Sequence, residues 1–236
     1  MDFFISTKKR TDKEELMDDF SIGGELLRDT LDKLENINRW LGGNKVTVKG
    51  LQNLLKNYPK DKTITIVDVG CGHGDILRDV AKFGRKKGYN FKLLGVDANP
   101  TAIEYANELS TNFPELEFKT QDIFSKEFQE QKFDVVLATL FFHHFKEKEL
   151  TSFLRNTLQQ TNIGIVVNDL HRNKLAYYLF MVLSLFIKNN MIIEDGLTSI
   201  LRGFKREDLE KISKELKVKY SIQWKWAFRY LWILNK

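Results

Sequence analysis

From Thr63 onward, short β-branched apolar runs alternate with amphipathic stretches, a pattern that predicts parallel βαβ units. Ile64 to Val69 reads as a strand, Asp75 to about Phe83 as a helix, and Leu93 to Val96 as a second strand. Asn99 and Pro100 supply an N-cap and a first-turn proline for a helix through Ile103, Tyr105, Ala106 and Leu109, which Pro114 stops. A short strand near Phe118, a stronger one from Phe133 to Ala138, a helix from about Glu147 and a strand from Ile163 to Val167 complete a doubly wound set. Before Thr63 the spacing is helical instead: Leu16, Phe20, Leu26, Leu27, Leu31 and Leu34 recur along one face, and Thr11 with Glu14 has the spacing of a capping box. Gly42 and Gly43 end a segment holding Ile37, Trp40 and Leu41, and a short helix through Leu51, Leu54 and Leu55 leads to Pro59.

Beyond the fifth strand comes an apolar run, Leu175 to Ile187, between Lys174 and Lys188, then an amphipathic helix from Arg206 to about Leu216. The alternation of Val218, Tyr220 and Ile222 and the closing run Phe228 to Leu234 predict a terminal hairpin, which makes the last strand antiparallel. The expected fold is therefore α/β: a doubly wound, mostly parallel seven-stranded sheet with an antiparallel C-terminal strand. Residues 1–60 form an N-terminal helical cap, residues 61–236 the main domain, and about 172–203 a helical insert after the fifth strand.

Composition bounds the function classes. With 236 residues, 42% hydrophobic and 29% charged, the chain holds one sizeable core. The net charge of +5 is mixed along the sequence, so it permits nucleic-acid binding without implying it. A lone cysteine, Cys71, excludes an internal disulfide framework, and the first residues, Met1 to Ile5, lack a basic segment followed by a long apolar one, so a reducing cytoplasm is expected. The Leu175 to Ile187 run is shorter than the roughly 20 apolar residues a spanning helix needs. It reads as a buried or lid helix, or as one touching a membrane surface or a lipophilic substrate.

The chemistry concentrates in Val67-Asp68-Val69-Gly70-Cys71-Gly72-His73-Gly74-Asp75, between a strand and a helix. Glycines there let backbone approach a ligand at the carboxyl edge of the sheet. A dinucleotide fingerprint has its third glycine one residue later and a pyrophosphate on the helix N-terminus. Here Asp68 and Asp75 would repel a pyrophosphate, whereas they suit a ligand with an ammonium and a sulfonium and no phosphate.

At this point the chain resembles the class I, Rossmann-like S-adenosylmethionine-dependent methyltransferases, whose first motif, acidic-x-G-x-G-x-G, is matched by Asp68, Gly70, Gly72 and Gly74. The resemblance covers about Asp61 to Leu170. It implies that Asp97, ending Leu94-Gly95-Val96-Asp97, accepts from the ribose hydroxyls, although the same residue also reads as a turn or cap aspartate. It further implies that Asp122 and Ile123 meet the adenine, with Cys71, Ala98 and Thr139 as neighbouring cofactor positions. S-adenosylmethionine is the implied cofactor, and no metal is expected.

After the fourth strand the sequence reads Ala138-Thr139-Leu140-Phe141-Phe142-His143-His144-Phe145, without the Asn/Asp-Pro-Pro-Tyr pattern of amino methylation on adenine and glutamine. Histidine accepts protons near neutral pH, and His143, His144 and His171 lie at strand ends, with His73 in the glycine loop. His144 and His171 are the chosen catalytic candidates, and Phe141, Phe142, Tyr177, Tyr178 and Phe180 the candidate acceptor-pocket aromatics. The segments Asn38 to Gly43, Leu140 to His144 and Asn168 to Arg172 resemble a bacterial branch acting on small molecules, implying methyl transfer to a lipophilic or aromatic acceptor such as a phenol or enol. The partner is then a small molecule, with nucleic acid disfavoured, peripheral membrane contact left open and oligomeric state unassigned. Competing readings are an RNA methyltransferase, suggested by Lys8-Lys9-Arg10 and Arg85-Lys86-Lys87, a non-catalytic binding protein of the same fold, and a nicotinamide oxidoreductase.

Overall fold

The chain opens on helices because its first apolar positions are spaced for them. The computed structural model describes residues 5–236, so the expectation about a leader segment rests partly on residues 1–4, outside the described residues. An extended N-terminal stretch reaches a single 3-10 turn at Leu16–Asp18, followed by α1 (Gly24–Trp40) and α2 (Gly43–Leu54). The capping box expected at Thr11 and Glu14 does not form, since residues 6–15 are non-helical; the reciprocal bonds run between Glu15 and Asp18 around the 3-10 turn instead. The segment stays extended because its side chains pair with distant elements rather than with the next turn, Glu15 with Ser199 and Asp18 with His144 and Arg202.

The alternation beginning at Thr63 builds β1 (Thr63–Val69), α3 (Asp75–Lys87), β2 (Asn90–Asp97), α4 (Pro100–Leu109), β3 (Leu116–Thr120), α5 (Lys126–Gln129), β4 (Phe133–Thr139), α6 (Glu147–Gln160) and β5 (Thr161–Leu170). Asn99 caps α4 as expected, its side chain accepting from the N–H groups of Thr101 and Ala102, with Pro100 in the first turn. The apolar insert becomes α7 (Lys174–Ser184) and α8 (Asn190–Arg202), capped by Asn173 and Asn189. Then α9 (Arg206–Leu216) leads to the hairpin of β6 (Lys219–Lys225) and β7 (Arg229–Asn235).

The seven strands lie in the order β3-β2-β1-β4-β5-β7-β6. The first five are mutually parallel, while β7 runs antiparallel to both β5 and β6. Both faces are covered, which is why the central strands carry continuous apolar runs rather than alternation. Leu51 from α2 and Leu55 just after it join residues of α3 and α4 on one face, among them Leu77, Val80 and Ala106. Phe128 from α5, Leu150 and Leu154 from α6, and Leu209 and Ile212 from α9 cover the other. Helix α2 is thus a layer helix of the sheet, whereas α1, the N-terminal stretch, α7 and α8 stand above its carboxyl edge. The strand order reverses between β1 and β4, so a crevice opens there, as in other doubly wound sheets. Among the described residues no helix is long and apolar enough to cross a membrane.

Candidate active site

Over the crevice lies a cavity of about 1970 Å³. One side is the glycine loop between β1 and α3. Gly70 has φ +67°, and a Cβ there would fall 2.2 Å from the Phe141 ring; Gly72 has φ +51°. Both positions need the left-handed region that glycine enters without strain. The turn is fixed from the neighbouring strand: Gly72 N–H donates to Asp97 Oδ2 at 2.9 Å, and Asn99 N–H to Asp97 Oδ1 at 2.9 Å. Asp68, Asp75 and Asp97 all line the cavity. Burial, then the charges of Asp75 and Asp97, push Asp68 well above the usual carboxylate range. Burial also raises Asp75 and Asp97, the latter against the opposing pull of the Asn99 and Gly72 hydrogen bonds. Three carboxylates crowded together and raised by burial form a site whose chemistry fits a positively charged ligand.

The other expected cofactor positions gather at the same cavity: Cys71, Ala98, Asp122, Ile123 and Thr139 line it with Gly70 and Gly72. Asp122 Oδ1 accepts from Phe124 N–H at 2.8 Å, and Thr139 Oγ1 is 2.8 Å from Thr47 Oγ1 on α2. Gly74 does not line the cavity; at φ +78° it starts α3, and a Cβ there would meet the Phe118 ring at 2.5 Å. Its place in the motif is therefore the turn and the packing beneath it. His73 turns toward α1, with Nε2 2.8 Å from Glu35 Oε2, and the contact holds Glu35 down to about 2. Asn44 adds a second tie, donating to Asp75 Oδ2 at 2.9 Å while accepting from Asn38 at 2.7 Å.

Across the cavity β4 ends on Thr139, and Leu140 adopts φ +52°, its N–H donating to Asn168 O at 2.8 Å. That sharp turn lays Phe141 against Gly70 and delivers a 3-10 turn, Phe142–His144. His143 Nδ1 lies 2.7 Å from Asp169 Oδ1 at the end of β5, and His144 Nδ1 lies 2.6 Å from Asp18 Oδ1. Glu15 faces the Nε2 edges of both rings, with Oε1 3.5 Å from His143 Nε2 and Oε2 3.9 Å from His144 Nε2. Ser199 from α8 donates to Glu15 Oε2 at 2.7 Å, and Arg202 donates to Asp18 Oδ2 at 2.6 Å. Burial raises Glu15 to about 7 against the pull of His144, Ser199 and Arg202. Burial opposes ionisation of Asp169 and Asp18 too, yet the charge of His143 and the hydrogen bond from His144, respectively, hold both below the usual range.

The structure brings His144 to the cavity but not His171. The His171 ring packs 5.0 Å from Tyr230, and its Nδ1 accepts from Trp224 Nε1 at 3.3 Å, because the residue lies past the end of β5, where the chain turns outward against the terminal hairpin. The buried histidine paired with a strand-end carboxylate is His143, with Asp169. Tyr177 and Tyr178 are likewise absent from the lining, since the face of α7 turned inward is Ala176, Leu179, Phe180 and Leu183, a spacing set by the helical period. Glu15, Asp18 and Arg202 carried no sequence signal of a site. The one available clue was Asp169, two residues before His171 on a strand that reaches the carboxyl edge.

A sequence-family model described as "Methyltransferase domain" matches residues 60–201. Among curated proteins, a candidate methyltransferase of Invertebrate iridescent virus 6 is 24% identical over 144 residues, 56% of this chain and 51% of the relative. The chain thus spans about half the length of that viral relative. A candidate protein N5-glutamine methyltransferase of Methanocaldococcus jannaschii is 29% identical over 188 residues, 77% of this chain and 85% of the relative. Among solved structures, the plantazolicin methyltransferase BpumL in complex with SAH superposes with a TM-score of 0.67 at 16% identity, covering 88% of this chain and 90% of that one. At that identity the likeness is one of fold.

Proposed function

The chain belongs to the methyltransferase-domain family, and from that premise we propose that it methylates an oxygen of a small lipophilic or aromatic acceptor, a phenol or enol, using S-adenosylmethionine. The observation that carries this reading is a single cavity with buried carboxylates around a glycine loop on one side and carboxylate-held histidines on the other. S-adenosylmethionine supplies a methyl group on a cationic sulfur, so the protein's task is alignment and proton removal.

Asp68, Gly70, Cys71, Gly72 and Asp97 hold the cofactor's charged and ribose portions, Ala98, Asp122 and Ile123 its adenine end, and Thr139 the floor below, with Gly74 shaping the turn. The crowded carboxylates favour the charged donor over a phosphate-bearing nucleotide. His144 accepts the acceptor's proton: Asp18 orients its Nδ1 and leaves Nε2 facing the cavity. His143 and Asp169 form a second, deeper pair of the same kind. Phe141, Leu179, Phe180 and Leu183 make the acceptor end apolar.

The sulfonium-derived product SAH occupies the similarly folded BpumL, which supports the cofactor assignment. A candidate protein N5-glutamine methyltransferase is among the relatives, yet after β4 this chain reads Thr139-Leu140-Phe141-Phe142, without the Asn-Pro-Pro-Tyr pattern of amino methylation. Mass spectrometry of small molecules released from freshly purified protein is expected to find adenosylhomocysteine or S-adenosylmethionine. Incubation with methyl-labelled S-adenosylmethionine and a panel of phenols and enols is expected to label oxygen. Label appearing only in RNA or in glutamine-containing peptides would overturn the acceptor assignment.

A further inference from the structure

On the acceptor side, the Glu15 carboxylate and the two imidazole Nε2 atoms converge with no hydrogen bond between them among the described residues, and Arg202 Nη1 stands 3.6 Å from Glu15 Oε1. His143 and His144 each direct Nδ1 to a carboxylate, at 2.7 and 2.6 Å; in the neutral tautomer with its proton on Nδ1, each Nε2 presents a lone pair. Both lone pairs face Glu15, which is 7% exposed and whose Oε1 has no hydrogen-bond partner among the described residues. The separations, 3.5 Å from His143 and 3.9 Å from His144, are too long for good hydrogen bonds. The first is close to the roughly 3.3 Å between ligand atoms that surround a metal tetrahedrally with bonds of about 2.0–2.1 Å, and the second, measured to the other carboxylate oxygen, is longer.

We propose that Glu15, His143 and His144 bind a divalent transition-metal cation at the acceptor end of the cavity. The three ligand atoms lie within 4.8 Å of one another. Two imidazoles and one carboxylate are a donor set that suits zinc or iron(II) and leaves further positions open, here toward the cavity that all three residues line. Each histidine already has the outer carboxylate that metal-bound imidazoles almost always have, Asp169 behind one and Asp18 behind the other. Ser199 fixes the carboxylate of Glu15 from its far side.

Charge points the same way. Glu15, Asp18 and Asp169 are three carboxylates, and among the described residues Arg202 is the cation ion-paired with any of them besides the histidines. Arg10 directs its donors to the carbonyls of Arg202 and His143 instead. One arginine ion-paired with these carboxylates leaves the cluster acidic, surroundings that suit a cation, with Arg10 and Arg229 acting on Asp169 from farther away. What the ion would do rests on the proposed oxygen methylation: with the ion bound, an acceptor hydroxyl on it would give its proton to solvent in place of His144, and the oxygen lone pair would bond to the methyl carbon as the carbon–sulfur bond breaks, its electron pair staying on sulfur to leave adenosylhomocysteine.

Full-length protein stripped with a chelator and titrated with cobalt(II) tests the site. The expected result is one cobalt per chain with a visible ligand-field spectrum, displaced by zinc(II) and not by magnesium. Glu15→Gln and His144→Ala are each expected to weaken cobalt binding at least tenfold, and Asp18→Asn, acting through His144, by about 10–100-fold. Calorimetry with adenosylhomocysteine shows that each variant is folded. Protein that binds adenosylhomocysteine but shows no stoichiometric cobalt, or binds it equally well in all three variants, overturns the site. If metal is absent and labelled oxygen products still form, the metal site falls and the oxygen methylation stands. Stoichiometric metal without any oxygen product supports the site and removes the acceptor reading.

Discussion

The two sides of the cavity are made by opposite means. The cofactor side is nearly contiguous, with residues 68–75 and 97–99 in adjacent strands and a long-range hydrogen bond spanning 25 residues, Gly72 to Asp97. The acceptor side is assembled from the N-terminal stretch, the ends of β4 and β5, and α8. Its bonds span 126 residues from Asp18 to His144 and 184 from Glu15 to Ser199. One side is a turn that folds with its own strand; the other exists only once four distant segments have docked. Cofactor affinity and methyl transfer should therefore respond to different substitutions.

The largest expected effect lies on the acceptor side. His144→Ala should lower kcat by about 10²–10⁴, the usual scale for a lost proton acceptor, while the Kd for adenosylhomocysteine stays within about twofold. Comparable losses in both measurements would erase the division between the sides.

On the cofactor side, Asp97→Ala should weaken S-adenosylmethionine by about 1.5–3 kcal/mol, roughly 10- to 150-fold, for hydrogen bonds to a charged group. Calorimetry checks it, and wild-type affinity would reject the assignment of Asp97. Gly72→Val should lose affinity through the backbone, because a β-branched residue at φ +51° costs about 1–2 kcal/mol.

Acidity sharpens the contrast next. Asp68, Asp75 and Asp97 are raised above the ordinary range in the ligand-free fold, so they bind protons that the unfolded chain has already released. Ligand-free stability should fall as pH rises from the unfolded value of about 3.9 toward those raised values. Affinity for the cationic cofactor should change in the opposite sense, being lost as pH falls through them. Melting temperatures across pH, with and without S-adenosylmethionine, check both signs, and adenosylhomocysteine, lacking the sulfonium charge, should show the weaker pH dependence.

The smallest effects concern the apolar helix. Phe180 lines the cavity and rests on Gly196, whereas Tyr177 lies on another face of α7. Phe180→Ala should raise acceptor KM by several fold, on the scale of about 1 kcal/mol of lost apolar contact, and Tyr177→Ala should stay within about twofold. Steady-state kinetics with the true acceptor distinguish them; the reverse order would mean that α7 is rotated when the acceptor is bound.

Much of the fold was legible because its signals are local. The β-branched runs at Ile64, Leu93, Phe133 and Ile163 each mark a parallel strand, Asn99-Pro100 is a helix start in sequence as in space, and the terminal hairpin reverses as its alternation predicts. The Thr11 and Glu14 spacing misled, since tertiary pairing of Glu15 and Asp18 outweighs a one-turn helical preference.

By itself the sequence determined the sheet, its order of elements and the cofactor loop, because turn chemistry, hydrophobic period and a glycine run between carboxylates act over a few residues. Only the tertiary structure decided which histidines face the cavity, that Asp169 serves His143 rather than standing beside a catalytic His171, and that Glu15 joins the site. The physical reason is distance along the chain. A hydrogen bond between residues 126 apart leaves no periodicity to read, and the direction of a side chain past a strand's end is set by what packs against it, here Trp224 and Tyr230.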